Sequence, residues 1–137
     1  MPALPWRSYG TVKNEAEYTV MASRLPLRRY RDIRFFLGCS KQVEEQLTRT
    51  AGLIGYGLYA QFLRKTFWTL SVWQSRDSLE GFARAEPHRS VMRDINPLMA
   101  APTFVTWRVN GSELPIGWRA ARDKIAIQLL DGAGQTG

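Results

Sequence analysis

The sequence predicts an α+β fold of split βαββαβ order, a four-stranded antiparallel sheet with helices on one face. Three observations predict it. Segments with twofold alternation at 17–24, 53–62, 66–74 and 103–109 are separated by segments of helical spacing, in the order strand, helix, strand, strand, helix, strand. Only Leu63, Arg64 and Lys65 join the two middle strands, which makes them an antiparallel hairpin. The third strand is apolar on both sides. Phe67, Thr69, Ser71 and Trp73 point one way and Trp68, Leu70 and Val72 the other. Both faces are therefore expected to be covered, one by helices and the other by a second subunit.

Each element has a local reason. Residues 1–16 carry two prolines and little periodicity, so they read as an extended arm before the single domain at 17–130. The first strand, Glu17 to Arg24, ends at Pro26. Leu27, Tyr30, Ile33, Leu37, Val43 and Leu47 then recur near helical spacing, with a kink expected at Gly38, an internal cap at Ser40 and a stop at Gly52. In the second strand, Leu53 to Phe62, Gly55 and Gly57 fall on one face and leave space there. Ser75 caps the next helix, Asp77 suits its first turn, and Leu79, Phe82 and Ala83 form its core face. Pro87 interrupts that helix, and Val91, Met92, Ile95, Leu98 and Met99 continue the stripe to Pro102. Thr103 to Val109 is the last strand, 118–130 a C-terminal helix carrying Ala121, Ile125 and Leu129, and 131–137 a flexible tail. Element order makes the whole ferredoxin-like.

Composition narrows the function classes. At 137 residues with 45% hydrophobic and 12% aromatic side chains, the chain can enclose one core and is not of disordered composition. The lone Cys39 rules out an internal disulfide. No apolar run reaches the roughly 20 residues of a membrane span, and MPALPWRSYG lacks the basic start and apolar stretch of a secretory signal, so a cytoplasmic protein is expected. The net charge of +7 includes Arg24, Arg28, Arg29, Arg31 and Arg34. No zinc-finger, helix-turn-helix or ribonucleoprotein signature accompanies them, so they read as a solvated helix face and no nucleic acid is expected. One His, one Cys and scattered carboxylates supply no metal set within a subunit. Neither a phosphate-binding glycine loop nor a nucleophile elbow is present.

The stretch GLIGYGLYAQFLRKTFWTLSVWQSRDSLEGFARAEPHRSVM, with TFVTWRV and ELPIGW beyond it, resembles the dimeric α+β barrel superfamily that includes antibiotic-biosynthesis monooxygenases. Within it, the chain is most similar to uncharacterised actinobacterial proteins distantly similar to spheroidene monooxygenase. The resemblance covers roughly residues 17–122 and implies a homodimer with facing sheets and, in each subunit, a pocket between sheet and helices. Heme-degrading members pair a strand Trp with a helical His. Trp73 matches the strand Trp, but the matching helical site falls near Phe82 or Ala83 and His88 comes later.

Cofactor-free members oxidise electron-rich phenols, which suits a pocket with few polar groups. That resemblance implies a monooxygenase acting on an apolar aromatic or polyunsaturated molecule, with His88 as catalytic base. Trp73, Tyr59 (or Tyr56), Phe82, Met92 and Trp107 would line the pocket, and Ser71, Thr69 and Arg84 would orient the ligand. His88 starts a helix after Pro87, where the positive helix end favours neutral imidazole. No cofactor is expected. The alternatives are a heme protein or heme-dependent oxygenase with His88 as axial ligand, or a non-catalytic dimer that binds a small molecule.

Overall fold

The computed structural model describes residues 6–135. Its elements are β1 (Arg7–Ser8), β2 (Glu17–Pro26), α1 (Ile33–Thr48), β3 (Leu53–Gln61), β4 (Thr66–Trp73), α2 (Arg76–Arg84), α3 (His88–Ile95), β5 (Thr103–Asn110) and α4 (Trp118–Gln135). From β2 to β5 this is the predicted α+β order. The sheet is antiparallel and runs β1-β3-β4-β2-β5.

Strand parity sorts the side chains. Register pairs Leu25 with Phe67, Ser23 with Thr69, Met21 with Ser71 and Thr19 with Trp73, and on the other flank Tyr56 with Ser71 and Leu58 with Thr69. These residues share one face, which α1, α2 and α3 cover. Phe36, Cys39, Phe67, Val91 and Ile95 make one buried cluster there, and Leu47, Leu53, Trp73, Leu79 and Phe82 a second. The opposite parity, Val20, Ala22, Leu70, Val72 and Val109, packs with Ala121 and Ile125 of α4. Ser75 caps α2 as its residue type leads one to expect, its Oγ accepting from the Ser78 N–H at 3.2 Å.

Five expectations are corrected. The sheet has five strands, because part of the N-terminal arm pairs along the otherwise open edge of β3. That edge carries unmet backbone groups, and Tyr9 N–H meets one of them at the Ile54 carbonyl, 2.8 Å away. Residues 1–5 of the arm lie outside the described residues. The space beside Gly55 and Gly57 is filled: a Cβ on Gly55 would stand 2.5 Å from the Trp6 indole, and one on Gly57 3.2 Å from Trp6 and from Trp118. The sheet face assigned to a second subunit is covered from within the chain by α4 and Trp6, so the two-faced apolar β4 needs no partner to explain it.

Helix α1 runs through Gly38 and Ser40 without kink or cap, since its regular backbone bonds need neither. Helix α4 continues past the expected end at Leu130 to Gln135, so the start of the assigned tail is helical, and 136–137 lie outside the described residues. No helix among the described residues is long and apolar enough to cross a membrane.

Candidate functional site

A cavity of about 120 Å³ lies between the β2–β4 face and the three helices above it. Its floor follows from alternation: Met21, Ser23, Thr69, Ser71 and Trp73 are the residues whose parity turns them toward the helices. Its roof is mostly apolar, with Phe36, Cys39 and Val43 from α1, Phe82 from α2, and Val91, Met92 and Ile95 from α3, and Ser40 and Glu44 of α1 add polar groups. His88, the first residue of α3, joins the wall.

The few polar groups are held in fixed roles. Trp73 Nε1–H donates to Ser71 Oγ at 2.8 Å, which leaves the Ser71 hydroxyl hydrogen free to donate into the cavity. Ser23 and Thr69 share a hydrogen bond between their hydroxyls. His88 Nδ1 sits 3.0 Å from the Ala83 carbonyl. A carbonyl only accepts, so Nδ1 carries the proton and Nε2 keeps a bare lone pair. Phe82 packs between the two rings that matter, its centroid 5.1 Å from Trp73 and 4.7 Å from His88.

Electrostatics keep these groups uncharged. Burial holds the His88 imidazole below its usual 6.5, and the Ala83 carbonyl only partly opposes that. Burial also pushes the Cys39 thiol up, aided by the charge of Asp94. The Tyr56 phenol is pushed up to about 12, by burial first and then by Glu44 and the Tyr9 hydroxyl. At neutral pH the cavity therefore presents a neutral base, a phenol and a thiol, with the Glu44 carboxyl also on its lining. Among the described residues no three His, Cys, Asp or Glu side chains gather as a metal set.

Of the residues singled out from sequence, the fold brings together His88, Trp73, Ser71, Phe82 and Met92, with Thr69 and Tyr56. Three lie elsewhere. Tyr59 pairs with Trp68 on the opposite face, where its ring meets Trp118 at 5.8 Å and Arg122 at 5.0 Å. Trp107 lies opposite Val20 on that same face, with the Lys124 ammonium 5.4 Å from its ring. Arg84, in the last turn of α2, is exposed. Sequence reasoning missed Ser23 and Met21, whose parity with Leu25 was readable, and Cys39, three residues after Phe36. It also missed Gln46, for which the sequence carries no signal.

The size of this cavity does not support a tetrapyrrole. Nε2 of His88 is free to ligate, but about 120 Å³ is well below the roughly 300 Å³ at the small end of pockets for drug-sized ligands, and heme is larger than those.

No family model matches the sequence, and no curated protein matches it. Solved structures do. SnoaB, a cofactor-independent oxygenase from Streptomyces nogalater, solved as a point mutant, matches with a TM-score of 0.59 at 11% identity, over 72% of this chain and 98% of that one. An antibiotic biosynthesis monooxygenase matches with a TM-score of 0.58 at 17% identity, over 66% of this chain and 95% of the other. A protein from Lactobacillus acidophilus NCFM, provisionally described as a monooxygenase, matches with a TM-score of 0.60 at 7% identity over 71% of this chain. This chain spans only 46% of that protein's length. At such identities the likeness is one of fold: a ferredoxin-like antiparallel sheet with helices packed on it, as in the antibiotic-biosynthesis-monooxygenase structures.

Proposed function

We propose that this chain is a monooxygenase that needs no cofactor and oxidises a small, electron-rich phenol in the cavity beneath α1, α2 and α3. One observation carries the reading: His88, its Nδ1 engaged by the Ala83 carbonyl, lies on the lining of a small, largely apolar cavity that Ser71 also lines. Of the two substrate classes the sequence leaves open, this reading takes the single-ring aromatic. At about 120 Å³ the cavity is near the roughly 150 Å³ of an apolar cavity that takes benzene, which supports a single ring over a long polyene. The description of SnoaB as a cofactor-independent oxygenase supports the same chemistry.

His88 Nε2 takes the phenolic proton, and the Ser71 O–H steadies the phenolate oxygen. The electron-rich ring reduces dioxygen, and a bond forms between a ring carbon and one oxygen atom. The other oxygen leaves as water, taking the proton back from His88 together with the hydrogen lost from the ring carbon. Phenol and O2 thus give quinone and water. All four electrons come from the substrate, so no outside reductant is required. The largely apolar lining limits competing water, and the aromatic walls hold the ring for attack.

An oxygen electrode with a panel of single-ring phenols tests this. One O2 consumed per quinone formed, without hydrogen peroxide, is the expected result. No uptake above background, or tight binding without turnover, overturns the reading. A cytoplasmic homodimer belongs to the same proposal: Ile127 and Leu130 on α4 are 56% and 73% exposed, apolar area that a second copy would bury. Sedimentation at 15.7 kDa, the mass of one chain, would exclude the dimer.

A further inference from the structure

Gln46 reaches from α1 into the junction of α2 and α3 and is buried there. Both ends of its amide are used. Oε1 accepts from the His88 backbone N–H at 2.8 Å, and Nε2 donates to the Phe82 carbonyl at 3.1 Å. The partners dictate this orientation, because a flipped amide would set donor against donor and acceptor against acceptor. One side chain thereby staples both ends of the link between α2 and α3. Between these two anchor points, in the last turn of α2, lies the Ala83 carbonyl that accepts from His88 Nδ1. At this end of α3 the Glu86 carboxylate accepts from the Ser90 N–H at 2.9 Å, while Pro87 makes no side-chain cap bond and the His88 N–H is met by Gln46. Gln46 itself does not line the cavity.

We propose that Gln46 is the positioning residue that decides which ring nitrogen His88 offers to the cavity. Holding Phe82 and His88 fixes Ala83 where Nδ1–H can reach it, which leaves Nε2 as the base. Without the staple the link relaxes, and the imidazole distributes its proton over both nitrogens. The proposal rests on His88 acting as base, but its test does not. Glu44 and Cys39 of α1 and Tyr56 of β3 share the cavity with His88, and Glu86 and Arg89 adjoin it along the chain. Substituting Gln46 leaves all of them in place.

The chain has one histidine, so long-range 1H–15N spectra report His88 alone. Wild-type protein is expected to carry its proton on Nδ1. In Gln46→Met, the proton redistributes and the titration midpoint moves further below the usual 6.5, because the Ala83 bond that raises it is lost while burial remains. On an accepted phenol, kcat falls by about 10²-fold with KM little changed, the pattern of a displaced reacting group. Gln46→Glu keeps an acceptor for the His88 N–H but brings a negative charge toward the ring, so its midpoint rises above wild type. A folded Gln46→Met protein with the wild-type tautomer and midpoint overturns the proposal. If that variant does not fold, Gln46→Glu, which loses the donor to the Phe82 carbonyl, overturns it by keeping the proton on Nδ1 as in wild type. Tautomer and midpoint are both measured without substrate or oxygen uptake, so failure of the oxygenase reading is separately visible.

Discussion

Changing His88 to glutamine lowers the rate of phenol oxidation by about 10²–10⁴-fold, the usual contribution of a positioned general base. Glutamine keeps a polar group near the Ala83 carbonyl but offers no basic nitrogen to the cavity. The pH dependence identifies the group. A base works only when unprotonated, so wild-type kcat/KM rises with pH through an apparent pKa below 6.5 and then levels. The same residue sets a window in stability. Because burial lowers the folded-state pKa, between that value and 6.5 the unfolded chain binds a proton that the folded chain does not. Stability from this source is complete above 6.5 and is lost as pH falls toward the folded-state value. Thermal unfolding midpoints of the wild type fall across that window, and those of His88→Gln lack this component. A variant with unchanged turnover, or an unchanged pH trend in both measurements, contradicts the assignment.

Phe67→Ala destabilises the protein by about 3–5 kcal/mol, a large share of the roughly 5–15 kcal/mol that holds a domain folded. Phe67 is fully buried in β4, stacked on Phe36 at 4.3 Å and meeting Phe62 edge-on at 5.8 Å. Its removal loosens α1 from the sheet. Phe67 does not line the cavity, so the loss is one of stability and not of ligand contact. Urea unfolding at neutral pH measures it, and a change below about 1 kcal/mol, typical of a surface site, would mean that this side chain is not packed as described.

The sequence made β4 legible because alternation of aromatic and branched residues fixes parity without knowledge of partners. Thr69, Ser71 and Trp73 had to share a face. Phe82 and Met92 followed from helical stripes, and His88 from the proline before it. Parity between strands was less accessible. Tyr59 shares the face of Gly55 and Gly57, and Trp107 faces α4 because β5 pairs with β2 in a register that no local signal specifies. The intramolecular cover of the second face was hidden for a similar reason: α4 is separated from the strands it covers, and Trp6 fills the gap over Gly55 and shares that over Gly57 with Trp118. Gln46 was least visible. A polar residue on a helix looks solvent-facing, and its role depends on bonds to Phe82 and His88 across a long stretch of chain.

The proposed chemistry stands or falls on an aromatic ring held in the cavity with its oxygen at His88. A crystal structure with a bound single-ring phenol tests this most directly. The ring is expected among Trp73, Phe82 and Met92, with the phenolic oxygen about 3 Å from His88 Nε2 and within reach of the Ser71 hydroxyl. A ring bound on the α4 face, or bound in the cavity with its oxygen turned away from His88, would contradict it.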